Sequence, residues 1–230
     1  MMLRPLILMY HSVSEEGYDD PYTVTPKALE AQIDWLIQNK FEFISLQQVV
    51  TLIFQRKFFF RKRYVTLTFD DGYADFLSNA MPILRKHGIP STLFLVTGKL
   101  GCTDEWSQSA VRRRLLNVDE LKEIKAIGDV TLGSHTVHHV DLTMLDHQSL
   151  QNELISSREL LTDLGETFYP FSYPWGRYTQ REKNAVKAAG YDCAVSTEGY
   201  HRTGKKDMFS LGRLTITDNV DFKQFENIYL

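Results

Sequence analysis

Short apolar runs alternate with helical patterns along nearly all of the 230 residues, and this order constrains the fold more than any other property of the chain. Strands separated by helical crossovers pair in parallel, so the sequence reads as α/β with a mainly parallel sheet or barrel. The first predicted strand is Leu6 to Tyr10. The first helix opens at Thr25-Pro26, a cap followed by proline at the first helical position, and its apolar stripe is Leu29, Ile33, Leu36 and Ile37. Ser45 and Gln48 form a capping box for a second helix that turns Val49, Leu52 and Ile53 inward. A helical stretch then runs to Lys86-His87-Gly88, broken near Pro82, and Thr92 to Val96 reads as a strand. Helix is expected from Asp119 to Ile127 and strand from Val130 to Leu132. A long helix follows from Asp146 to Gly165, and a strand from Phe168 to Tyr173. Thr179 and Glu182 make another capping box, and Asp192 to Ser196 and Leu214 to Thr217 are further strands. No repeat or low-complexity linker interrupts the pattern, and the length suits one domain spanning residues 1–230.

Composition narrows the function. A net charge of -3 gives no general attraction to nucleic acid, and no nucleic-acid-binding motif is present. The apolar run near the N-terminus is interrupted by Pro5, too short for a signal core and far too short for a transmembrane segment. The chain therefore reads as soluble and cytoplasmic, or extracytoplasmic if a leader has been removed. Cys102 and Cys193 stand in neither metal-binding nor redox spacing. In the run from Arg56 to Arg63, basic residues flank three phenylalanines. A solvated loop whose phenylalanines cover the next strand is favoured over peripheral membrane contact.

The chemistry-bearing residues fall directly behind predicted strands: His11, Asp70, Asp71, His135, His139 and the turn Pro174-Trp175-Gly176. In parallel α/β folds functional groups gather at the carboxyl ends of the strands. Past a strand end the alternation of faces relaxes, so both Asp70 and Asp71 can reach one cleft, one to bind a metal and the other to handle a proton. Two histidines four apart and one aspartate make a ligand set of the catalytic type, open to water and substrate. A bound divalent ion with a neighbouring carboxylate equips a metal-assisted amide or ester hydrolase.

Thr68-Phe69-Asp70-Asp71-Gly72, His135-Thr136-Val137-His138-His139 with Asp141-Leu142, and Phe171-Ser172-Tyr173-Pro174-Trp175-Gly176 resemble three ordered motifs of the polysaccharide deacetylases, carbohydrate esterase family 4. The resemblance covers roughly residues 5 to 217. It implies a distorted (β/α) barrel and metal-dependent removal of N-acetyl groups from an amino-sugar saccharide. By that resemblance Asp70 is the general base and Asp71, His135 and His139 hold one divalent ion, zinc first, with cobalt, nickel or iron as alternatives. The backbone N–H of Tyr173 is the expected oxyanion donor.

Two departures stand out. The third motif lacks the arginine that orients the base in many relatives, and Arg213 is the expected substitute. No histidine lies beyond His201, so the late histidine of many relatives is missing. His11 is the expected general acid, since a branch acting on exported poly-N-acetylglucosamine opens with a similar Tyr-His element; His201 is the reserve. Trp106, Trp175 and Tyr73 are expected to contact substrate, Trp35 to pack a helix, and His138 to face solvent or support the ligands. The rival readings are a hydrolase of a non-sugar linear or cyclic amide, a glycan-binding module without catalysis, and a two-histidine-one-carboxylate iron oxygenase.

Overall fold

The protein is described by a computed structural model over residues 5–16, 20–55, 62–197, 207–218 and 220. His201 and residues 56–61 of the basic run lie outside this set.

Strand β1 (Leu6–Tyr10) is apolar throughout and buried on both faces, the signature of an interior parallel strand. Two short strands, β2 (Ser12–Val13) and β3 (Thr23–Val24), pair with each other beside the main sheet. In α1 (Pro26–Gln38) the Thr25 side chain accepts from the Ala28 amide. Leu29, Ile33 and Leu36 are buried, but Ile37 is 45% exposed. Its position lies about 100° around the helix from Leu36, at the margin of the stripe. β4 (Phe41–Phe43) precedes α2 (Leu46–Gln55), whose capping box forms: Ser45 N–H donates to Gln48 Oε1 at 2.8 Å and Gln48 N–H to Ser45 Oγ at 3.2 Å.

After β5 (Arg63–Phe69) comes a π-helical turn, Phe76–Ala80, and then α3 (Met81–His87). The break expected near Pro82 is a change of hydrogen-bond period, with the Met81 amide reaching back five residues to the Phe76 carbonyl. β6 (Ser91–Leu95), α4 (Val118–Ile127), β7 (Val130–Ser134), α5 (His147–Asp163), β8 (Pro170–Ser172), α6 (Gln180–Ala188) and β9 (Cys193–Ser196) follow. β8 is shorter than the predicted Phe168 to Tyr173, because Pro170 has no amide hydrogen and the Tyr169 amide donates to the Asp192 side chain instead.

Every ladder in the main sheet is parallel, in the order β10–β9–β8–β7–β6–β5–β1–β11, with β4 paired off this path to β5. β10 (Leu211–Gly212) and β11 (Leu214–Thr215) are separated by a single residue, Arg213. β10 pairs with β9 and β11 with β1, so one five-residue segment joins the two ends of the sheet into a nearly closed parallel barrel. The expected (β/α) barrel is the observed fold. Leu6, Leu8 and Tyr10 enter the main core cluster, whereas Ile7 between them meets Phe94, Val195 and Leu211 together with Leu46 and Val49 of α2. Gly133 is required opposite Phe94, since a Cβ there would stand 2.5 Å from the ring. No helix among the described residues is long and apolar enough to cross a membrane.

Candidate active site

The carboxyl ends of β1, β5, β7 and β8 and the Arg213 segment deliver their side chains to one cleft. At the end of β5 the backbone turns through two consecutive left-handed residues, Asp71 at φ +72° and Gly72 at φ +78°. This turn is what brings adjacent carboxylates to the same side. A non-glycine residue held there costs about 1–2 kcal/mol, and Gly72 also admits the Leu95 side chain, 3.0 Å from where a Cβ would sit.

The loop after β7 is likewise strained, with Thr136 at φ +69° and His139 at φ +57°. Glu153 of α5 holds it: its carboxylate accepts from the amides of Val137 (2.8 Å) and His138 (3.1 Å) and lies 2.6 Å from His138 Nδ1. His138 thus serves the loop rather than the metal cluster. Thr136 Oγ1 accepts from the His139 amide at 2.9 Å.

Asp71 Oδ1 lies 3.4 Å from Nε2 of His135 and 3.4 Å from Nε2 of His139, and the three buried ligand atoms are all within 4.8 Å of one another. Metal–ligand bonds near 2.1 Å in a tetrahedron place ligand atoms roughly 3.4 Å apart. His135 Nδ1 sits 2.8 Å from the Ser172 carbonyl; as donor there it leaves Nε2 unprotonated toward the cluster. Asp71 Oδ1 is buried without a hydrogen-bond partner. Burial, reinforced by His139, pushes His135 down to about 4 against the pull of both aspartates. Burial also acts to raise Asp71, but the neighbouring imidazoles outweigh it and hold the carboxyl well below its ordinary range. A His135 imidazole whose proton is driven off by burial and an ionised, unsatisfied Asp71 carboxylate suit a divalent ion, which binds deprotonated ligands, so these residues fit one.

Trp106 and Trp175 both pack on His139. Trp106 stacks at 4.4 Å and donates Nε1–H to Asp71 Oδ2 at 3.3 Å, so it touches two of the three candidate ligands. Trp175 meets the ring edge-on at 4.8 Å and is 51% exposed, which leaves it a free face at the cleft mouth.

Asp70 is gripped by Arg213, whose Nη1 and Nη2 donate to Oδ1 at 2.7 Å and Oδ2 at 2.6 Å. Ser172, in the motif that lacks arginine, donates to Oδ2 at 3.1 Å. Burial pushes Asp70 up, and the Arg213 charge with its paired hydrogen bonds more than reverses this, so the carboxyl stays ionised. His135 Nε2 is 4.0 Å from Asp70 Oδ2, which sets the carboxylate directly beside the candidate metal position. His11 is half-buried, tilted against Tyr22 at 4.8 Å, with Nδ1 unpartnered. Burial lowers its pKa while the charges of Asp71 and Asp70 oppose the shift.

Two expected roles do not fit the geometry. The Tyr173 amide donates to the Val195 carbonyl at 3.2 Å, and its hydroxyl to the Phe209 carbonyl at 3.0 Å, so the sheet occupies the N–H expected to serve an oxyanion. Tyr73 is 2% exposed; its hydroxyl donates to Asp104 at 3.1 Å and accepts from Arg113 at 2.7 Å. It belongs to the framework under the cleft and presents no face to a substrate. Glu153 was not singled out from sequence, although a glutamate inside the Leu150, Leu154 and Leu161 stripe of α5 is an available signal.

Comparison with known proteins decides the family. The polysaccharide deacetylase family model matches residues 60–194. The chain belongs to the polysaccharide deacetylase family. Among its relatives, YxkH of Bacillus subtilis (strain 168), a provisionally assigned polysaccharide deacetylase, is 29% identical over 220 residues, 95% of this chain and 74% of the relative. The poly-beta-1,6-N-acetyl-D-glucosamine N-deacetylase of Staphylococcus aureus (strain MSSA476) is 27% identical over 207 residues, 86% of this chain and 69% of its own. The structure of the Streptococcus pyogenes deacetylase PplD in complex with acetate superposes with a TM-score of 0.82 at 25% identity, covering 100% of both chains. This family member therefore shares both the barrel and the enzyme class.

Proposed function

We propose that this polysaccharide deacetylase is metal-dependent and hydrolyses N-acetyl groups on the amino sugars of a glycan, with a poly-N-acetylglucosamine as the first substrate to test. The observation that carries the reading is the joint placement of two groups. The Asp71–His135–His139 cluster gathers its ligand atoms within 4.8 Å of one another, with Asp71 Oδ1 3.4 Å from each imidazole, and the Arg213-paired Asp70 carboxylate lies 4.0 Å from one of those ligands. The Staphylococcus aureus relative, named for that glycan, supports the substrate class.

A divalent ion held by Asp71, His135 and His139 would supply acidity to a water and polarise the acetamide carbonyl. Asp70, kept ionised by Arg213, takes the water's proton on a carboxylate oxygen as the new C–O bond forms. His11, on the β1 side of the cleft, gives a proton to the amide nitrogen as the C–N bond breaks, releasing acetate and a free amine. Trp175 offers its exposed face to a sugar ring, while Trp106 is committed to Asp71 and His139. The pairing of Arg213 with Asp70 weighs against a binding module without catalysis.

The test is acetate and free amine measured after incubating the zinc-loaded protein with N-acetylated oligosaccharides of several linkages. Release from at least one is expected. Failure on every N-acetylated sugar, with release from simple non-sugar amides, would replace the saccharide reading.

A further inference from the structure

Among the described residues, Arg113 is a buried cation that the proposed chemistry leaves unused. Its guanidinium lies over the Tyr73 ring at 4.2 Å and reaches residues from three separate loops. Nε donates to Asp104 Oδ2 at 2.9 Å, Nη1 lies 2.5 Å from Asp20 Oδ2 and 3.1 Å from Thr23 Oγ1, and Nη2 donates to the Tyr73 hydroxyl at 2.7 Å. The Arg113 amide adds a bond to Asp104 Oδ1 at 2.7 Å. A desolvated pair of this kind contributes little net stability against an apolar replacement, but it fixes geometry.

The partners of Arg113 lead to two of the aromatic groups that touch the candidate site residues, Trp106 and Tyr22. Asp104, fully buried, anchors the turn that carries Trp106, with the Ser107 amide closing onto the Asp104 carbonyl at 3.1 Å. Trp106 in turn contacts Asp71 and His139. On the other side, Asp20 Oδ1 accepts from the Tyr22 amide at 3.1 Å, and Tyr22 packs against His11. We propose that Arg113 is a positioning residue for both walls of the cleft, holding Trp106 against the metal ligands through Asp104 and Tyr22 against His11 through Asp20 and Thr23. The inference rests on the roles proposed above for Asp71, His139 and His11. It extends them to a residue that touches none of them.

The two arms can be cut separately. Asp104→Asn and Asp20→Asn are near-isosteric and each leaves the other arm intact, whereas Arg113→Lys keeps the charge but loses the fork that reaches both. In the full chain, zinc affinity is read by competition with a chromophoric chelator, and the His11 wall by the ring-proton resonance that disappears in His11→Gln. Melting temperature is followed in parallel. Asp104→Asn should weaken zinc about 10- to 100-fold, the scale for groups behind a metal ligand, and leave the His11 resonance in place. Asp20→Asn should shift that resonance, reduce kcat with KM held, and keep zinc affinity within about twofold of the parent. Arg113→Lys should do both. The idea is overturned if the two Asn variants leave both signals unchanged, or if each moves both signals in proportion to its loss of melting temperature. A parent protein that releases no acetate would defeat the deacetylase reading alone, because the zinc and resonance arms still decide this one.

Discussion

Arg213 meets both carboxylate oxygens of Asp70, at 2.7 and 2.6 Å, from the one residue that separates β10 from β11. The same side chain donates to Thr68 Oγ1 at 3.1 Å, while Nη2 lies 2.9 Å from Ser172 Oγ. Asp70, the proposed base, thus takes its counter-ion from a residue far from it in sequence, and three side chains, Asp70, Thr68 and Ser172, share one guanidinium.

Removing that charge should act on both activity and stability. Asp70 is held below its ordinary value, so its contribution to stability is present above the unfolded carboxylate pKa and is lost as pH falls through the folded one. Arg213→Gln should lower stability at pH 7 by about 3–5 kcal/mol, the cost of stranding a buried charge. The deficit should shrink toward pH 4. The acid limb of kcat/KM should move up by about 1–3 pH units. Denaturant titration at both pH values and a pH–rate profile check the two parts; an unmoved acid limb would take the base role from Asp70.

Single changes of Asp71, His135 or His139 to Ala should abolish tight binding of a divalent ion while the barrel persists, because its core lies in Leu6, Leu8, Leu67, Leu93 and their neighbours. Metal analysis after dialysis, with circular dichroism, reads this. Full occupancy in His139→Ala would remove that residue from the ligand set.

His11→Gln should cut turnover roughly 10²- to 10⁴-fold, the scale of a positioned general acid, and leave metal content unchanged. If the variant turns over normally, the proton comes from another group.

Asp75 gives a prediction independent of catalysis. Its carboxylate accepts from Ser12 Oγ at 2.5 Å and the Val13 amide at 3.2 Å, yet burial outweighs these bonds and pushes the group up to about 6. A raised carboxyl favours the fold while protonated, and this contribution is full below about 3.8 and lost as pH rises through about 6. Asp75→Asn should therefore be more stable than the parent at pH 8, by about 1–3 kcal/mol. The advantage should vanish near pH 4. Equal melting temperatures at pH 8 would show that the carboxylate carries no such penalty.

What the sequence disclosed depended on how far apart the interacting residues stand. The caps at Thr25, Ser45, Asp146 and Thr179 each involve a donor or acceptor within three residues, and each appears where the sequence puts it. The motif residues cluster because strand ends in a parallel barrel converge, a rule that needs only the order of elements. By contrast, the partner of the Tyr173 amide depends on the register of β8 against β9, where Ser172 lies opposite Val195. The fate of the Tyr73 hydroxyl depends on Arg113, and the work of Trp106 on a ring delivered by the loop after β7. None of these pairings leaves a local trace. Arg213 was legible only because a charge was missing elsewhere.

The five residues from Leu211 to Thr215 tie the charge of Asp70 to the closure of the sheet. With that segment displaced, Asp70 would face a low-dielectric interior with no cation, and a carboxyl so placed takes up a proton. Asp71, His135 and His139 sit on other elements and could still gather an ion. Closing the sheet and charging Asp70 are therefore one event, set by the same short segment.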